Sequence, residues 1–247
     1  FLMNGSLKYK FTDWLDAEIK AGSDMYFTEG EEKLYAGSPT NNKNSRYSTS
    51  EKKFFENNFS FLISGHKDEL FGKFGGNFSF GGNLMERKST GLDNSMGKLT
   101  APDLFSLANG DKKDLSITET YIHKKINSLY GTLGINYNGW AFLDATFRND
   151  WSSALNKENR SFFYPSVGAS VLLDRFIDFG KNVDLFKLRA SYSIVGNDVP
   201  IGVTNERYTL GDQGALNPPE KSSFRTLKPE KTNSLEVGFD GTFFQNR

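Results

Sequence analysis

The sequence predicts an all-β protein, an antiparallel up-and-down transmembrane β-barrel of which this chain supplies about nine strands. Apolar and polar residues alternate with period 2 over stretches of about 9 to 12 residues, longer than the roughly 5 to 6 residues usual for soluble proteins. Tilted membrane strands need this greater length. Short and long connections also alternate along the chain, as they do in outer-membrane barrels.

The first clear strand shows the pattern well. In Leu15–Met25 the odd positions are mostly apolar and the even positions are mostly charged or glycine. The same alternation recurs along the whole chain, and each alternating stretch predicts one strand. The predicted strands include Phe1–Phe11, Leu15–Met25, Phe55–Ile63, Leu70–Phe80, Leu129–Tyr137, Ala141–Phe147, Val167–Leu173, Phe186–Tyr192 and Leu235–Phe243.

The polar faces of these strands carry charged residues. Examples are Asp144, Arg148, Lys187, Arg189 and Glu236. Charges suit a water-filled lumen better than the packed interior of a sandwich of two sheets. We therefore expect apolar faces toward lipid and polar faces toward the lumen.

The connections give independent support. Asn138-Gly139 predicts a two-residue type I′ hairpin, because both residues tolerate positive φ. In a long connection, a helix from Thr100 to Asn109-Gly110 and a simple series of turns are equally compatible with the sequence. The short connections are predicted at Thr12–Trp14, Gly65–Glu69, Asn138–Gly139 and Arg175–Asp184, and the long ones at Thr28–Thr49, Leu84–Ile117, Ser152–Tyr164 and Val195–Lys231.

The composition excludes several classes of function. The 30 basic and 30 acidic residues give no net charge, which argues against nucleic acid as a partner. No run of about 18 apolar residues could form a transmembrane helix. The absence of cysteine excludes disulfides and thiolate chemistry.

The sequence also offers no catalytic, cofactor or metal site. His66 and His123 lack metal-ligand spacing. Gly72–Gly76 lies in a predicted strand and lacks the Gly-Lys-Ser/Thr ending of a phosphate loop, and no Gly-x-Ser-x-Gly elbow occurs. The acidic stretch Asp24–Glu32 does not follow the ligand order of a calcium loop. We expect a protein that is not an enzyme and holds no cofactor.

The predicted strand count suggests part of a larger barrel. Nine is odd, whereas bacterial single-chain barrels have even numbers of strands, and open edges in hydrocarbon would leave backbone groups unpaired. No signal peptide is recognisable at Phe1–Gly5. We expect residues 1–247 to be part of one transmembrane β-barrel domain.

Several motifs resemble the SusC/RagA family of TonB-dependent outer-membrane transporters of the Bacteroidetes, in order and in spacing. They cover roughly residues 126–243, whereas residues 1–125 match only in style, as in Tyr9–Leu15. The motifs are Ser128–Leu133, Arg148–Ser153, Phe163–Ser170, Leu188–Tyr192, Gly196–Asp198 and Leu227–Thr232.

The resemblance implies an integral outer-membrane barrel of about 22 strands that encloses a plug. It implies energised import of nutrients, most often glycan or oligosaccharide fragments and sometimes peptides. The implied partners are a SusD-like surface lipoprotein that forms a lid, and TonB-ExbB-ExbD, which acts through the plug. The plug and the N-terminal regions are absent from this sequence, so the chain would supply barrel wall and surface loops.

Four residues are candidates for substrate contact. Arg148, Asp150 and Trp151 lie where a predicted strand enters a loop, and Tyr208 lies in a long loop. Trp151 could stack on a sugar, but the aromatic girdle at the membrane interface is the favoured interpretation. Packing within the loop explains Tyr208 equally well.

Two other functions remain open from the sequence. A water-soluble all-β binding or adhesion module would pack the Phe-rich faces between two sheets. A passive outer-membrane porin would share the barrel but would not need TonB. Substitution on the lipid face distinguishes the soluble module from a membrane barrel. Dependence of uptake on TonB distinguishes a passive porin from an energised transporter.

Overall fold

The computed structural model describes residues 1–38, 44–180, 182–204, 209–210, 216–218, 224 and 226–244, with only the backbone of residues 209–210. In this part of the chain the regular structure is almost entirely β-strand. The helical residues there form two three-residue 3-10 turns, Lys112–Asp114 and Leu173–Arg175. No helix in the described ranges is long and apolar enough to cross a membrane.

Nine strands form one sheet in which strands consecutive along the chain pair with each other, except that β8 pairs with β11. The predicted all-β fold and its nine sheet strands are confirmed. Among the described residues, two further short strands, β9 and β10, pair with each other. The strands are β1 Leu2–Lys10, β2 Leu15–Leu34, β3 Arg46–Phe71, β4 Phe74–Met96, β5 Leu115–Tyr137, β6 Ala141–Ser152, β7 Ser161–Leu172, β8 Val183–Asn197, β9 Thr209–Leu210, β10 Leu216–Asn217 and β11 Glu230–Phe243.

Strands β2 to β5 are longer than the sequence predicts. They contain 20 to 26 residues and continue through stretches predicted as loops. The added segments are polar on both faces, as in the run Ser48–Glu51, so period-2 counting finds no apolar face there. Backbone pairing continues without an apolar face, because the ladder hydrogen bonds do not depend on side-chain hydrophobicity.

Two of the predicted short connections have different outcomes in the structure. Asn138 and Gly139 have φ of 50° and 70°, which confirms the predicted hairpin. The prediction of a turn at Gly65–Glu69 is wrong, because these residues belong to β3 and the chain turns at Gly72, where φ is 59°. A backbone hydrogen bond from His66 N to Trp14 O, of 3.0 Å, holds the mispredicted segment in the sheet.

The long connection after β4 is a series of turns. The structure gives no helix from Thr100 to Gly110, and the chain is held by backbone bonds such as that from Thr100 N to Asn109 O at 3.1 Å. The side chain of Asn109 donates to the carbonyls of Ala101 and Leu104 at 2.8 and 2.7 Å. These bonds satisfy backbone groups locally and favour turns over a helix.

The contacts of the chain divide it into two compact units, which are described separately. The first unit contains Phe1–Asn4, Gly22–Asn57 and Glu86–Lys124. The second contains Gly5–Ala21, Asn58–Met85 and Lys125–Arg247. Strands β1 to β5 contribute residues to both.

In the second unit, the strand register aligns apolar residues across five strands. Leu133 lies opposite Ala145, which lies opposite Val167, and the row continues through Tyr192 to Leu235. The side chains in the next row, one residue along each strand, point to the other face. That row is polar and consists of Thr132, Thr146, Ser166, Ser193 and Ser234.

The apolar row is exposed rather than covered. Leu133, Val167 and Leu235 are all among the exposed large hydrophobic residues. The buried hydrophobic residues of the described part lie mainly at strand ends and in loops, and are Met96, Leu99, Ala154, Leu155 and Phe162. A soluble sandwich would bury its Phe-rich faces, and this sheet leaves them open.

Candidate functional site

Arg148 organises a polar group on the sheet of the second unit. It lies on β6 opposite Tyr130 of β5 and Tyr164 of β7. Its Nε donates to Oδ1 and Oδ2 of Asp150 at 2.8 and 3.0 Å, and its Nη2 donates to Ser128 Oγ at 2.9 Å. The guanidinium also lies 5.7 Å from the centre of the Tyr130 ring. Contacts to Asp150, Ser128 and the Tyr130 ring therefore fix the position of the guanidinium of Arg148.

Part of the hydrogen-bonding capacity of Arg148 is not used by these contacts. The Asp150 side chain is 13% exposed, whereas the Arg148 side chain is 46% exposed. A guanidinium has five N–H donors, and the contacts to Asp150 and Ser128 use only part of them. Arg148 can therefore offer hydrogen bonds to hydroxyl or carboxylate oxygens of a ligand.

The structure brings together two of the four residues predicted to contact substrate. Arg148 and Asp150 are two residues apart on β6 and share a face, whereas Trp151 lies between Asn127 and Ser161 on the opposite face. That placement suits the membrane girdle better than sugar stacking. Tyr208 lies outside the described residues.

The first unit contains a second group, which the sequence did not predict. We call Tyr26, Phe54, Glu56 and Arg87 the arginine–aromatic stack. The rings of Tyr26 and Phe54 are stacked, with centres 4.8 Å apart and planes at 11°. Arg87 lies 5.7 Å from the Phe54 ring centre and donates from Nε to Glu56 Oε2 at 2.7 Å.

One half of this stack is a pair of aromatic rings, and the other half is a pair of charged groups. Tyr26 is 49% exposed, so one part of its ring remains open to a ligand. Arg87 and Glu56 hold each other by a charge-assisted pair, in which Nη2 of Arg87 also lies 2.6 Å from Oε2. The two halves together present a ring face beside hydrogen-bond donors and acceptors.

A polar pocket of about 450 Å³ lies in the same unit. Small ligands bind in pockets of roughly 300 to 1,000 Å³. Ser48 Oγ donates to Ser95 Oγ at 3.0 Å, and a Cβ at Gly30 would come within 2.5 Å of Ser50 Oγ. The lining is rich in hydroxyls and carboxylates and consists of Gly30, Glu31, Glu32, Ser48, Thr49, Ser50, Asp93, Asn94, Ser95, Ser116 and Thr118.

The described residues contain no group of three or more His, Asp or Glu that could hold a metal ion. The described residues do contain one His–carboxylate pair, in which Nε2 of His123 lies 2.7 Å from Oε1 of Glu86. Lys88 approaches the same oxygen at 3.3 Å.

An exposed apolar face, a polar face and hairpin connections are typical of the wall of a membrane β-barrel. Residues 2–247 match the family described as TonB dependent receptor-like, beta-barrel, and the chain belongs to this family. It is a segment of an integral outer-membrane barrel, as predicted. The family consists of receptors, which confirms the prediction that the chain is not an enzyme.

Two curated relatives come from Formosa agariphila. TonB-dependent receptor P26 is 25% identical over 173 residues, which are 66% of this chain and 17% of the relative. TonB-dependent receptor P3 is 27% identical over 130 residues, which are 49% of this chain and 13% of the relative. The matching region therefore spans less than a fifth of the length of either receptor.

Solved structures show the same fold. The RagAB peptide transporter matches with a TM-score of 0.87 and 19% identity, over 100% of this chain and 28% of that chain. The RagAB peptide importer in its open-open state matches with a TM-score of 0.86, also at 19% identity, with 100% and 28% coverage. These matches confirm the barrel fold implied by the SusC/RagA resemblance.

Proposed function

We propose that this chain forms part of the barrel wall of a TonB-dependent importer of oligosaccharide fragments. Membership of the receptor family supports the import function. The arginine–aromatic stack is the observation that supports the substrate class. All residues 1–247 belong to one barrel domain in this proposal, and a plug encoded outside these residues receives the pull of TonB.

The stack suits a sugar because a pyranose ring has an apolar C–H face and polar hydroxyls. The aromatic half of the stack matches the first, and the charged half matches the second. The C–H face of the sugar lies against the open ring of Tyr26, and aromatic side chains supply large apolar area with a polar handle. Neighbouring hydroxyls of the sugar bind Arg87 and Glu56, whose charges strengthen hydrogen bonds.

The polar pocket extends the same chemistry. Gly30 and Tyr26 are both at even positions of β2 and therefore share a face of that strand. At about 3.3 Å per residue, four residues separate them by roughly 13 Å. A chain of several sugar units covers that distance, with hydroxyls from Ser48, Ser50 and Ser95 as partners.

The proposed partners follow from the family and from the resemblance. TonB-ExbB-ExbD energises the cycle through the plug, and a SusD-like surface lipoprotein closes over the loops. Outer-membrane lipid surrounds the apolar face. The structurally similar RagAB complex is a peptide transporter, so peptides are the second candidate substrate.

The substrate class is tested with the full-length transporter and the variant Tyr26→Ala. Phe27→Ala is the matched control, because Phe27 is the next residue, is similarly exposed at 52%, and points to the opposite face. Loss of one aromatic contact of about 1 kcal/mol weakens oligosaccharide binding roughly fivefold. Binding is measured by calorimetry with mixed oligosaccharides and, separately, with mixed peptides.

We expect Tyr26→Ala to weaken oligosaccharide binding and Phe27→Ala to leave it unchanged. Equal effects of both variants contradict the assignment of the stack. Binding of peptides but not oligosaccharides replaces the proposed substrate class. Uptake that persists without TonB or without the proton-motive force identifies a passive porin and contradicts the import mechanism.

A further inference from the structure

A mainly apolar groove of about 360 Å³ lies on the second unit. Phe78 of β4 and Leu133 and Ile135 of β5 form much of its wall. Leu133 belongs to the exposed apolar row of the sheet, so the groove opens on the same face as that row.

Two glycines keep the groove open. A Cβ at Gly65 would come within 2.6 Å of Cε1 of Phe78. A Cβ at Gly76 would come within 2.9 Å of Cδ1 of Leu70. Because both positions lack a side chain, Phe78 and Leu70 can lie close to the backbone of these glycines, which leaves room for the groove.

The groove lies close to the short connections of the barrel. Its lining includes Trp14, which precedes β2 directly after the first short turn, and Gly76, which follows the turn at Gly72 by four residues. Short connections lie on the periplasmic side of outer-membrane barrels. Tryptophan is enriched at membrane interfaces, so the groove faces the periplasmic leaflet near its polar boundary.

One lysine, Lys67, lines this mainly apolar groove, together with the polar residues His66 and Asn77. Lys67 is exposed, and no ion pair of Lys67 is found among the residues that the structure describes. A lysine near a membrane boundary extends its ammonium toward polar headgroups. Lipid phosphates are anions at that level of the bilayer, and basic residues attract them.

We propose that the groove binds one phospholipid of the periplasmic leaflet. An acyl chain lies along Phe78 and Leu133, and the phosphate contacts the ammonium of Lys67. The apolar face of an integral barrel is surrounded by lipid, which makes a lipid the occupant that the location supplies. The charge of Lys67 selects an anionic phospholipid over a zwitterionic one.

The test uses the full-length transporter in nanodiscs of phosphatidylcholine with a minor fraction of phosphatidylglycerol. The phosphatidylglycerol retained per protein is counted by native mass spectrometry after gentle detergent exchange. Leu133→Trp fills the groove, and Leu143→Trp is its matched control, because Leu143 is equally exposed, at 48% against 50%, but does not line the groove. Lys67→Gln removes only the charge.

We expect the unmodified protein and Leu143→Trp to retain one phosphatidylglycerol, and Leu133→Trp to lose it. Lys67→Gln should lower the retained amount about fivefold, as expected for one cation beside an anionic lipid. Equal retention by Leu133→Trp and Leu143→Trp overturns the groove as the site. Unchanged retention in Lys67→Gln overturns the phosphate contact, and this variant gives an answer even if Leu133→Trp fails to fold.

Discussion

The hydroxyl of Tyr47 on β3 donates a 2.6 Å hydrogen bond to Oε1 of Glu31 on β2, and Lys33 donates one of 2.8 Å to Oε2. One carboxylate thus joins the ends of two neighbouring strands. A tilted strand crosses the hydrocarbon in about 9 to 11 residues. Glu31 lies further than that from the start of β2 at Leu15, so we expect this bridge to lie outside the hydrocarbon.

The bridge should respond to acid. The hydrogen bond from Lys33, and after it the one from Tyr47, lowers the pKa of Glu31 below its ordinary value of 4.5. A lowered carboxyl pKa stabilises the fold above the ordinary value, and this contribution is lost as the pH falls through the lowered pKa. We expect faster hydrogen exchange at the ends of β2 and β3 at acid pH, after correction for intrinsic exchange rates.

The same bridge should also respond to alkali. The hydrogen bond to Glu31 raises the pKa of Lys33 above 10.5 and that of Tyr47 above 10.0. These raised values stabilise the fold below the ordinary pKa, and the contribution is lost as the pH rises through them. Glu31→Gln should remove both responses, whereas Glu32→Gln should keep them. An identical pH profile in the two variants would contradict the bridge.

Substitution on the two faces of β11 tests the orientation of the sheet in the membrane. Phe239 lies opposite Leu188 on the exposed apolar face, and Glu236 lies opposite Ser191 on the polar face. Arginine on the lipid face near the midplane costs about 2 to 4 kcal/mol. We expect Phe239→Arg to lower the free energy of unfolding in vesicles by that amount and Glu236→Gln to change it little. Equal sensitivity at both positions would instead indicate a sheet packed on both sides.

A substitution in the hairpin at Asn138-Gly139 tests the cost of the positive φ without any change in side-chain packing. Gly139 has φ of 70°, and a Cβ there meets no atom within 4 Å. Left-handed backbone costs a residue with a Cβ roughly 1 to 2 kcal/mol. Gly139→Ala should therefore lower the free energy of unfolding by about that amount. The control is Gly5→Ala, since a Cβ at Gly5 also meets nothing within 4 Å and its φ is not positive.

The features that sequence alone predicted are those decided within a few residues. The turn at Asn138-Gly139 depends on the φ tolerance of two neighbours, and the faces of β6 depend on alternation within one strand. The turn after β3 was misplaced because the polar run Gly65–Glu69 looks like a turn. The run Gly65–Glu69 belongs to the sheet because it pairs with the chain near Trp14, which is distant in sequence.

The arginine–aromatic stack was missed for the same reason. Tyr26, Phe54 and Arg87 come from three strands, and only the register of those strands brings them together. Register depends on pairing over the whole strand, and a shift of one residue would send each side chain to the other face. Parts of β2 and β4 also lie in stretches that the sequence predicts as loops, so counting alternation within strands does not reach Ser95 and its neighbours.

Arg148 and Trp151 provide the sharpest test of the residues predicted to contact substrate. Arg148 donates to both oxygens of Asp150 and to Ser128, and the planar fork of a guanidinium makes this possible. A lysine in its place has a single nitrogen and lacks the fork that reaches Asp150 from Nε and Ser128 from Nη2. We expect Arg148→Lys to weaken oligosaccharide binding by the full-length transporter about tenfold, as for loss of a charge-assisted hydrogen bond of about 1.5 kcal/mol.

Trp151→Phe should leave the same binding unchanged, because Trp151 points to the opposite face of β6. Loss of an interfacial tryptophan should instead lower the free energy of unfolding in vesicles, since its ring anchors the barrel at the lipid boundary. Calorimetry should thus show weaker binding for Arg148→Lys and unchanged binding for Trp151→Phe. Unfolding should show a loss of stability for Trp151→Phe. Weakened binding in Trp151→Phe, with unfolding unchanged, would place that ring against the substrate and contradict the girdle interpretation.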